Sequence, residues 1–209
     1  MKINEIFYSI QGEGRNAGLP TIFVRTTGCN LRCSYCDTTY AYYEGEEMHL
    51  HGIIEKIKKW KCKRVCLTGG EPLIQEEMPD FVDMLIRDGY EINIETNGSI
   101  DVSDMAKRDV MISMDMKCPS STMHERMRYE NISVLRSRDE LKFVIGDEED
   151  YAYAADIIKR YKPICEVVMQ PIWGKMDGRK LAGWILRDEI DARLSLQIHK
   201  ILWGNRKGV

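Results

Sequence analysis

Short β-rich runs alternate with helical periodicity along nearly the whole chain, and that alternation limits the fold more than any other feature. Runs rich in branched and aromatic residues occur at 21–25, 64–67, 91–95, 110–115, 140–145, 166–169 and 193–198. An extended run at 3–10 precedes them and reads as an added N-terminal strand. Between the runs, Ile53, Ile57 and Trp60 recur at helical spacing within 51–60. Phe81, Val82, Leu85 and Ile86 do so within 79–87, with Gly89 as the stop. Segments 148–161 and 180–187 complete the helices. Such alternation implies right-handed βαβ crossovers and a mainly parallel sheet. A chain of 209 residues is short for a closed eight-fold barrel, which typically needs ~250. The expected architecture is therefore α/β: a partial, incomplete TIM-like βα barrel with the added strand, as one domain over 1–209.

In sheets of this kind the chemistry gathers at the carboxyl ends of the strands. Polar signals close several of the expected strands: Thr68-Gly69-Gly70-Glu71, Glu95-Thr96-Asn97-Gly98, Asp115, Gln170 and His199. Directly after the first core strand stands Cys29-Asn30-Leu31-Arg32-Cys33-Ser34-Tyr35-Cys36. Its C-x-x-x-C-x-x-C spacing puts three thiols on one short segment. Three close cysteines suit three corners of a cubic iron–sulfur cluster and leave one iron open to an outside ligand. The competing reading is structural zinc, with His49, His51 or Cys62 as fourth ligand. Structural zinc sites usually pair a C-x-x-C with a second close pair, and here that pair is missing.

Composition agrees with a metal-binding thiol set. The seven cysteines are an odd number, a poor disulfide framework. Reduced thiols point to a cytoplasmic protein. No apolar run approaches membrane-spanning length, and the N-terminus lacks the apolar stretch of a secretory signal. A net charge of −3 supplies no global field toward nucleic acid or an anionic membrane. Neither is expected as a partner. Cys66, within an apolar strand, and the isolated Cys118 and Cys165 read as core thiols.

Two further segments carry chemistry. In Gly69-Gly70-Glu71-Pro72 the glycines let a backbone approach a ligand closely, and Glu71 can accept from a ligand ammonium. An ordinary strand-to-helix turn would look the same. Ile10-Gln11-Gly12-Glu13-Gly14 precedes the first core strand. Its glycines do not make a dinucleotide fingerprint. Gln and Glu side by side suit a flat polar ligand, although a plain turn is the simpler alternative.

The cysteine triad with Gly69-Gly70-Glu71-Pro72 resembles the radical S-adenosylmethionine (SAM) superfamily, with Tyr35 as its usual aromatic between the last two cysteines. The Gln11 segment, Arg25, Cys36-Asp37-Thr38, Glu95-Thr96-Asn97-Gly98-Ser99 and Gln197-x-His199-Lys200 together resemble the 7-carboxy-7-deazaguanine synthase family, from about residue 3 to 200. That resemblance implies the partial barrel of the radical SAM type. It also implies conversion of 6-carboxy-5,6,7,8-tetrahydropterin to 7-carboxy-7-deazaguanine with loss of ammonia, in deazapurine biosynthesis. By resemblance, Cys29, Cys33 and Cys36 bind a 4Fe–4S cluster. SAM is held by Gly70 and Glu71, Ser113 and Asp115, and the stretch Gln170, Pro171, Ile172 and Trp173, with Tyr35 and Asp37 adjoining. The pterin is read by Ile10, Gln11, Gly12 and Glu13, with Arg25 on its carboxylate and Thr68 and His199 facing it. Thr38 matches a Mg²⁺ ligand. A homodimer and an electron donor such as flavodoxin or ferredoxin are implied in the same way.

Two other readings compete. A glycyl-radical activating enzyme shares the cysteine spacing but not the Gln11 loop or the C-terminal Gln197-x-His199-Lys200. A non-catalytic metal-binding module needs only the thiols. The chain also continues past Lys200 to Val209, beyond the length of members whose terminal carboxylate reaches substrate, so Val209 is not assigned that role.

Overall fold

The computed structural model describes residues 1–209. Strand β1 (Lys2–Ile10) runs antiparallel to β2 (Pro20–Thr26), and the two-residue β3 (Glu46–Glu47) lies on the outer edge of β1. From β2 onward the sheet is parallel: β4 (Arg64–Gly69), β5 (Glu91–Thr96), β6 (Met111–Met116), β7 (Glu140–Ile145), β8 (Glu166–Pro171) and the short β9 (Arg193–Leu194). The strand order is β3-β1-β2-β4-β5-β6-β7-β8-β9, so the parallel strands follow chain order and the sheet stays open. This is the expected α/β architecture with its antiparallel N-terminal strand.

Alternation along each strand sorts side chains to two faces. Val24, Leu67, Ile94, Ile112, Met114, Leu141, Phe143 and Met169 join the apolar core. Helices α1 (Leu50–Ile57), α2 (Met78–Arg87), α4 (Glu148–Tyr161) and α5 (Gly178–Arg187) pack on that core through Ile53, Phe81, Leu85, Tyr151 and Leu181. Phe81 and Leu85 are fully buried, each a gain of about 1.5–3 kcal/mol over exposure. The intervening residues, among them Arg25, Thr68, Glu95, Asp115, Lys142 and Gln170, take the opposite face. There the sheet is polar.

Several boundaries differ from expectation. α1 ends at Ile57 with Lys58 as its cap, and Trp60 lies beyond it, stacked on Tyr8. β8 continues to Pro171 and β6 begins at Met111. The run expected as one strand at 193–198 divides: β9 stops at Leu194, and α6 (Ile198–Trp203) begins four residues later. His199 therefore sits on a helix, not at a strand end. The short α3 (Ser103–Ala106) and β3 were not foreseen.

The loop between β1 and β2 links the two ends of the open sheet. Gly14 N donates to Ser195 Oγ at 3.1 Å, and Arg15 N donates to Glu140 Oε2 at 2.8 Å. Arg15 Nε reaches Glu166 Oε2 at 3.0 Å. A segment from the first strands is thus tied to the starts of β7 and β8, which no strand pairing would achieve.

Candidate active site

The cysteine segment leaves the end of β2 and is fastened to its surroundings by backbone bonds. Gly28 N donates to Ala41 O at 2.8 Å, Ser34 N to Ser121 O at 3.1 Å and Cys36 N to Cys33 O at 3.2 Å. Cys29, Cys33 and Cys36 are free thiols, half-buried, and all three line one cavity of about 640 Å³ over the polar face of the sheet. Burial pushes the Cys29 and Cys33 thiols up; Lys117 pulls against it at Cys33. Gly70 carries the end of β4 against this loop. A Cβ at residue 70 would stand 2.0 Å from the Gly28 carbonyl oxygen, so the approach requires glycine.

The rest of the expected set converges on the same cavity with two exceptions. Tyr35, Asp37, Thr38, Gly70 and Asp115 line it near the cysteines. Gln170, Pro171, Ile172 and Trp173 line it from the end of β8. Ile10, Gln11, Gly12, Glu13, Arg25, Thr68 and His199 line its other end. Glu71 is the first exception. It is fully buried and turned into the protein: its carboxylate accepts from Leu73 N at 3.0 Å, Thr96 Oγ1 at 2.9 Å and Asn97 N at 2.6 Å. These bonds tie the end of β4 to the end of β5 and leave no role as acceptor for a ligand ammonium. Ser113 is the second. It lies deep on β6, with its hydroxyl donating to Glu140 Oε1 at 2.5 Å, and does not reach the cavity.

Hydrogen bonds shape the end opposite the cysteines. Gln11 Nε2 donates to Glu95 Oε1 at 3.0 Å, and Thr68 Oγ1 donates to Glu95 Oε2 at 2.9 Å. Arg25 gives its Nε to Glu5 Oε1 at 2.7 Å, and Tyr40 Oη donates to the same oxygen at 3.0 Å. Gly12 lies directly under His199, where a Cβ would fall 1.8 Å from the ring Nδ1. Ile198 N donates to Gly12 O at 3.0 Å, which seats α6 on the Gln11 loop.

Charges here are buried and paired. Lys142 Nζ donates to Glu13 Oε2 at 2.9 Å and stands 3.1 Å from Asp115 Oδ1, while Lys117 Nζ donates to Asp115 Oδ2 at 2.6 Å. Gln197 Nε2 holds the other Glu13 oxygen at 2.7 Å. Burial alone would raise the Glu13 carboxyl; Lys142, Gln197 and His199 hold it far below the usual range. Asp115 is likewise lowered against burial by Lys117 and Lys142.

Three features escaped the sequence reading. Lys117 and Lys142 line the cavity, but a lysine within a strand, or just past its end, reads as solvent-facing unless that face is known to turn inward. The tail reaches the site as well: Gly204 to Val209 line the same cavity, and Lys207 Nζ lies 3.9 Å from the Tyr40 ring centroid. The length of the tail had argued against such a contact. It is accommodated because α6 turns back after Trp203 at Gly204, whose φ is +65°.

The donor set suits a cubic cluster better than a single ion. No three His, Cys, Asp or Glu side chains converge on one ion position. Ligands at separate corners of a cluster need not converge. The candidates for a fourth zinc ligand lie elsewhere. His49 caps α1, His51 is exposed on it, and Cys62 donates to Pro20 O at 3.2 Å, at the end of β2 remote from Cys29. Tyr35 Oη and Gln170 Oε1 are buried without a protein partner, and both residues line the cavity beside the thiols. Unpaired buried polar atoms in a ligand-sized cavity match a site built to receive a polar cofactor.

Comparison with known proteins agrees with this geometry. The family model for the radical SAM superfamily matches residues 23–163. A 7-carboxy-7-deazaguanine synthase from Thermoplasma acidophilum is 43% identical over 210 residues, covering 100% of both chains. One from Methanospirillum hungatei is 41% identical, covering 97% of this chain and 85% of its own. The crystal structure of QueE from Escherichia coli shares the fold, with a TM-score of 0.78 at 23% identity over 95% of this chain and 94% of that one. No helix is long and apolar enough to cross a membrane. The cysteine loop, the cavity it opens on and the full-length similarity lead to one conclusion: the chain belongs to the 7-carboxy-7-deazaguanine synthase family of the radical SAM superfamily.

Proposed function

We propose that this chain converts 6-carboxy-5,6,7,8-tetrahydropterin to 7-carboxy-7-deazaguanine and ammonia, as one radical SAM domain over residues 1–209. The family implies a 4Fe–4S cluster and SAM as cofactors. When bound, they supply a 5′-deoxyadenosyl radical that takes a hydrogen from C6 of the pterin. The observation that carries the proposal is spatial. The thiols occupy one end of a single cavity, and an acceptor-rich end that holds the Arg25 fork occupies the other.

Cys29, Cys33 and Cys36 hold the cluster. The Gly70 backbone, Tyr35 and the Gln170–Trp173 stretch surround SAM, with Asp37 and Asp115 at its edge. Gln11 and Glu13 read the polar edge of the pterin, and Gly12 leaves room for His199 above them. Arg25 keeps its two terminal amines for the substrate carboxylate, since only its Nε is taken by Glu5. Thr38, whose hydroxyl now donates to Asp37 Oδ1 at 2.9 Å, supplies an oxygen to Mg²⁺. The protein acts in the cytoplasm as a homodimer reduced by a flavodoxin or ferredoxin, a setting that suits its seven free thiols.

Anaerobic turnover with reconstituted cluster, SAM, reductant, Mg²⁺ and the carboxytetrahydropterin, read by mass spectrometry, tests the proposal. The expected result is 7-carboxy-7-deazaguanine with an equivalent of ammonia. Release of 5′-deoxyadenosine without the deazapurine would keep the radical chemistry and remove the substrate.

A further inference from the structure

Strand β7 carries a lysine where its pattern calls for burial. In Glu140-Leu141-Lys142-Phe143-Val144-Ile145, the apolar residues Leu141, Phe143 and Ile145 enter the core. Alternation sends Lys142 to the cavity side, where it is only 6% exposed. A buried ammonium is tolerated only when paired. Here the pairing is supplied by two elements: Asp115, directly opposite in the β6–β7 register, and Glu13 from the β1–β2 loop.

The result is a row of alternating charges: Glu13, Lys142, Asp115, Lys117. Asp115 retains Lys117 as a partner on its other oxygen. Glu13 has no second cation in hydrogen-bond contact; its remaining contact is the neutral Gln197. Lys142 therefore matters more to Glu13 than to Asp115. Lys142 on one carboxylate oxygen and Gln197 on the other also fix its plane from two sides. Each oxygen keeps lone-pair capacity for a ligand.

Resting on the function proposed above, we propose that Lys142 is a positioning residue for the pterin. It keeps the Glu13 carboxylate ionised and aimed, so that it accepts from the N–H groups of the aminopyrimidine edge. Protonated, Glu13 would present a donor to donors. The charged and titratable groups around the pair are Cys66 from β4, Glu95 from β5, Asp115 and Lys117 from β6 and its exit, Glu140 from β7 itself, Asp37 from the cysteine segment and His199 from α6. The other carboxylates keep partners that Lys142 does not supply, Glu140 among them through Ser113 Oγ and Arg15 N. Asp115 retains Lys117 and Asp37 retains Lys200. Glu95 retains Gln11 and Thr68. Removing Lys142 thus takes from Glu13 its one hydrogen-bonded cation and leaves its carboxylate the neutral Gln197.

The test uses the cluster-reconstituted full chain with SAM and compares wild type, Lys142→Met, Lys142→Gln and Lys142→Arg. Binding of 7-carboxy-7-deazaguanine and of SAM is measured separately by anaerobic calorimetry from about pH 5.5 to 8.5, beside KM and kcat for the pterin. Both neutral variants should bind the deazapurine about ten-fold or more weakly near pH 6 and recover as the pH rises and Glu13 ionises. Lys142→Arg should restore tight binding without that dependence, and SAM affinity should hold throughout. Unchanged deazapurine affinity and pH profile in the neutral variants would overturn the proposal. So would equal losses toward SAM and deazapurine, the mark of a merely structural lysine. Failure of the wild type to bind the deazapurine or turn over the pterin would instead remove the function on which the proposal rests.

Discussion

Lys200 Nζ lies 2.5 Å from Asp37 Oδ2 and ties the C-terminal helix α6 to the segment that carries the three cysteines. The two residues are 163 positions apart and both line the cavity. The bond closes one side of the site, since α6 also brings His199 over Gly12. Burial raises the Asp37 carboxyl, but Lys200 holds it below its ordinary value of 3.8. A lowered carboxylate stabilises the fold above its unfolded pKa, and the gain is lost only as the pH falls through the folded value. The tie should therefore stay intact across the neutral range. Lys200→Met should raise KM for the pterin several-fold and cost under about 1 kcal/mol in denaturant unfolding, because Asp37 is more than half exposed. An unchanged KM would show that α6 is seated by other contacts alone.

The thiols divide by position. Cys33→Ala should abolish SAM cleavage and the broad visible absorption of the reconstituted cluster. Cys62→Ala should retain both, because Cys62 is engaged with Pro20 O at the far end of the strand pair. Iron and sulfide analysis of the two variants checks this directly. Loss of iron in Cys62→Ala with retention in Cys33→Ala would reverse the ligand assignment.

Much of this arrangement was legible in the chain itself, for reasons particular to each element. β7 and α4 begin and end as their patterns suggest. β7 alternates the core residues Leu141, Phe143 and Ile145 with their neighbours, and α4 opens on Asp147, whose side chain accepts from Asp150 N at 3.0 Å. The cysteine loop and the Gly69-Gly70 turn announce themselves because their chemistry needs those residues at that spacing. α6 did not, since it spans only six residues and buries none of them, although Ile198, Ile201 and Leu202 stand at helical spacing. Glu71 misled because its carboxylate looks free in a motif, whereas its three bonds come from Leu73, Thr96 and Asn97 once the chain has folded. Lys142 was invisible because local pattern cannot tell which face of a strand turns toward a cavity.

Glu71 should matter to stability more than its surroundings suggest. Burial raises its carboxyl to about 7 from 4.5, against the pull of the three hydrogen bonds. The folded protein thus binds a proton there that the unfolded chain releases. This contribution to stability is full below 4.5 and is lost as the pH rises through about 7. Glu71→Gln cannot titrate and should show a flatter dependence of unfolding free energy on pH across that window. Glu71→Ala orphans three buried donors and should cost about 3 kcal/mol or more, a fall in Tm of roughly 6–12 °C for a chain of this size. Equal pH profiles for wild type and Glu71→Gln would show that the carboxyl does not titrate in the folded state.

The tail offers the sharpest separation between folding and function. Residues Gly204 to Val209 line the cavity, yet Asn205 to Gly208 are exposed and α6 buries none of its residues. The contact that holds the tail is Lys207 over the Tyr40 ring, and Tyr40 in turn donates to the Glu5 oxygen that also accepts from Arg25. An exposed lysine over a half-buried ring contributes on the order of 1 kcal/mol, too little to affect the fold. A chain ending at Trp203 should keep the wild-type unfolding midpoint and cluster content. Its cavity would stand open beside Tyr40, so water and reductant would reach the cofactor more readily. The truncated protein should therefore release more 5′-deoxyadenosine per deazapurine formed, with a raised KM for the pterin. Counting both products in one anaerobic assay gives the ratio. An unchanged ratio and KM would mean that residues 204–209 merely lie along the cavity wall and close nothing.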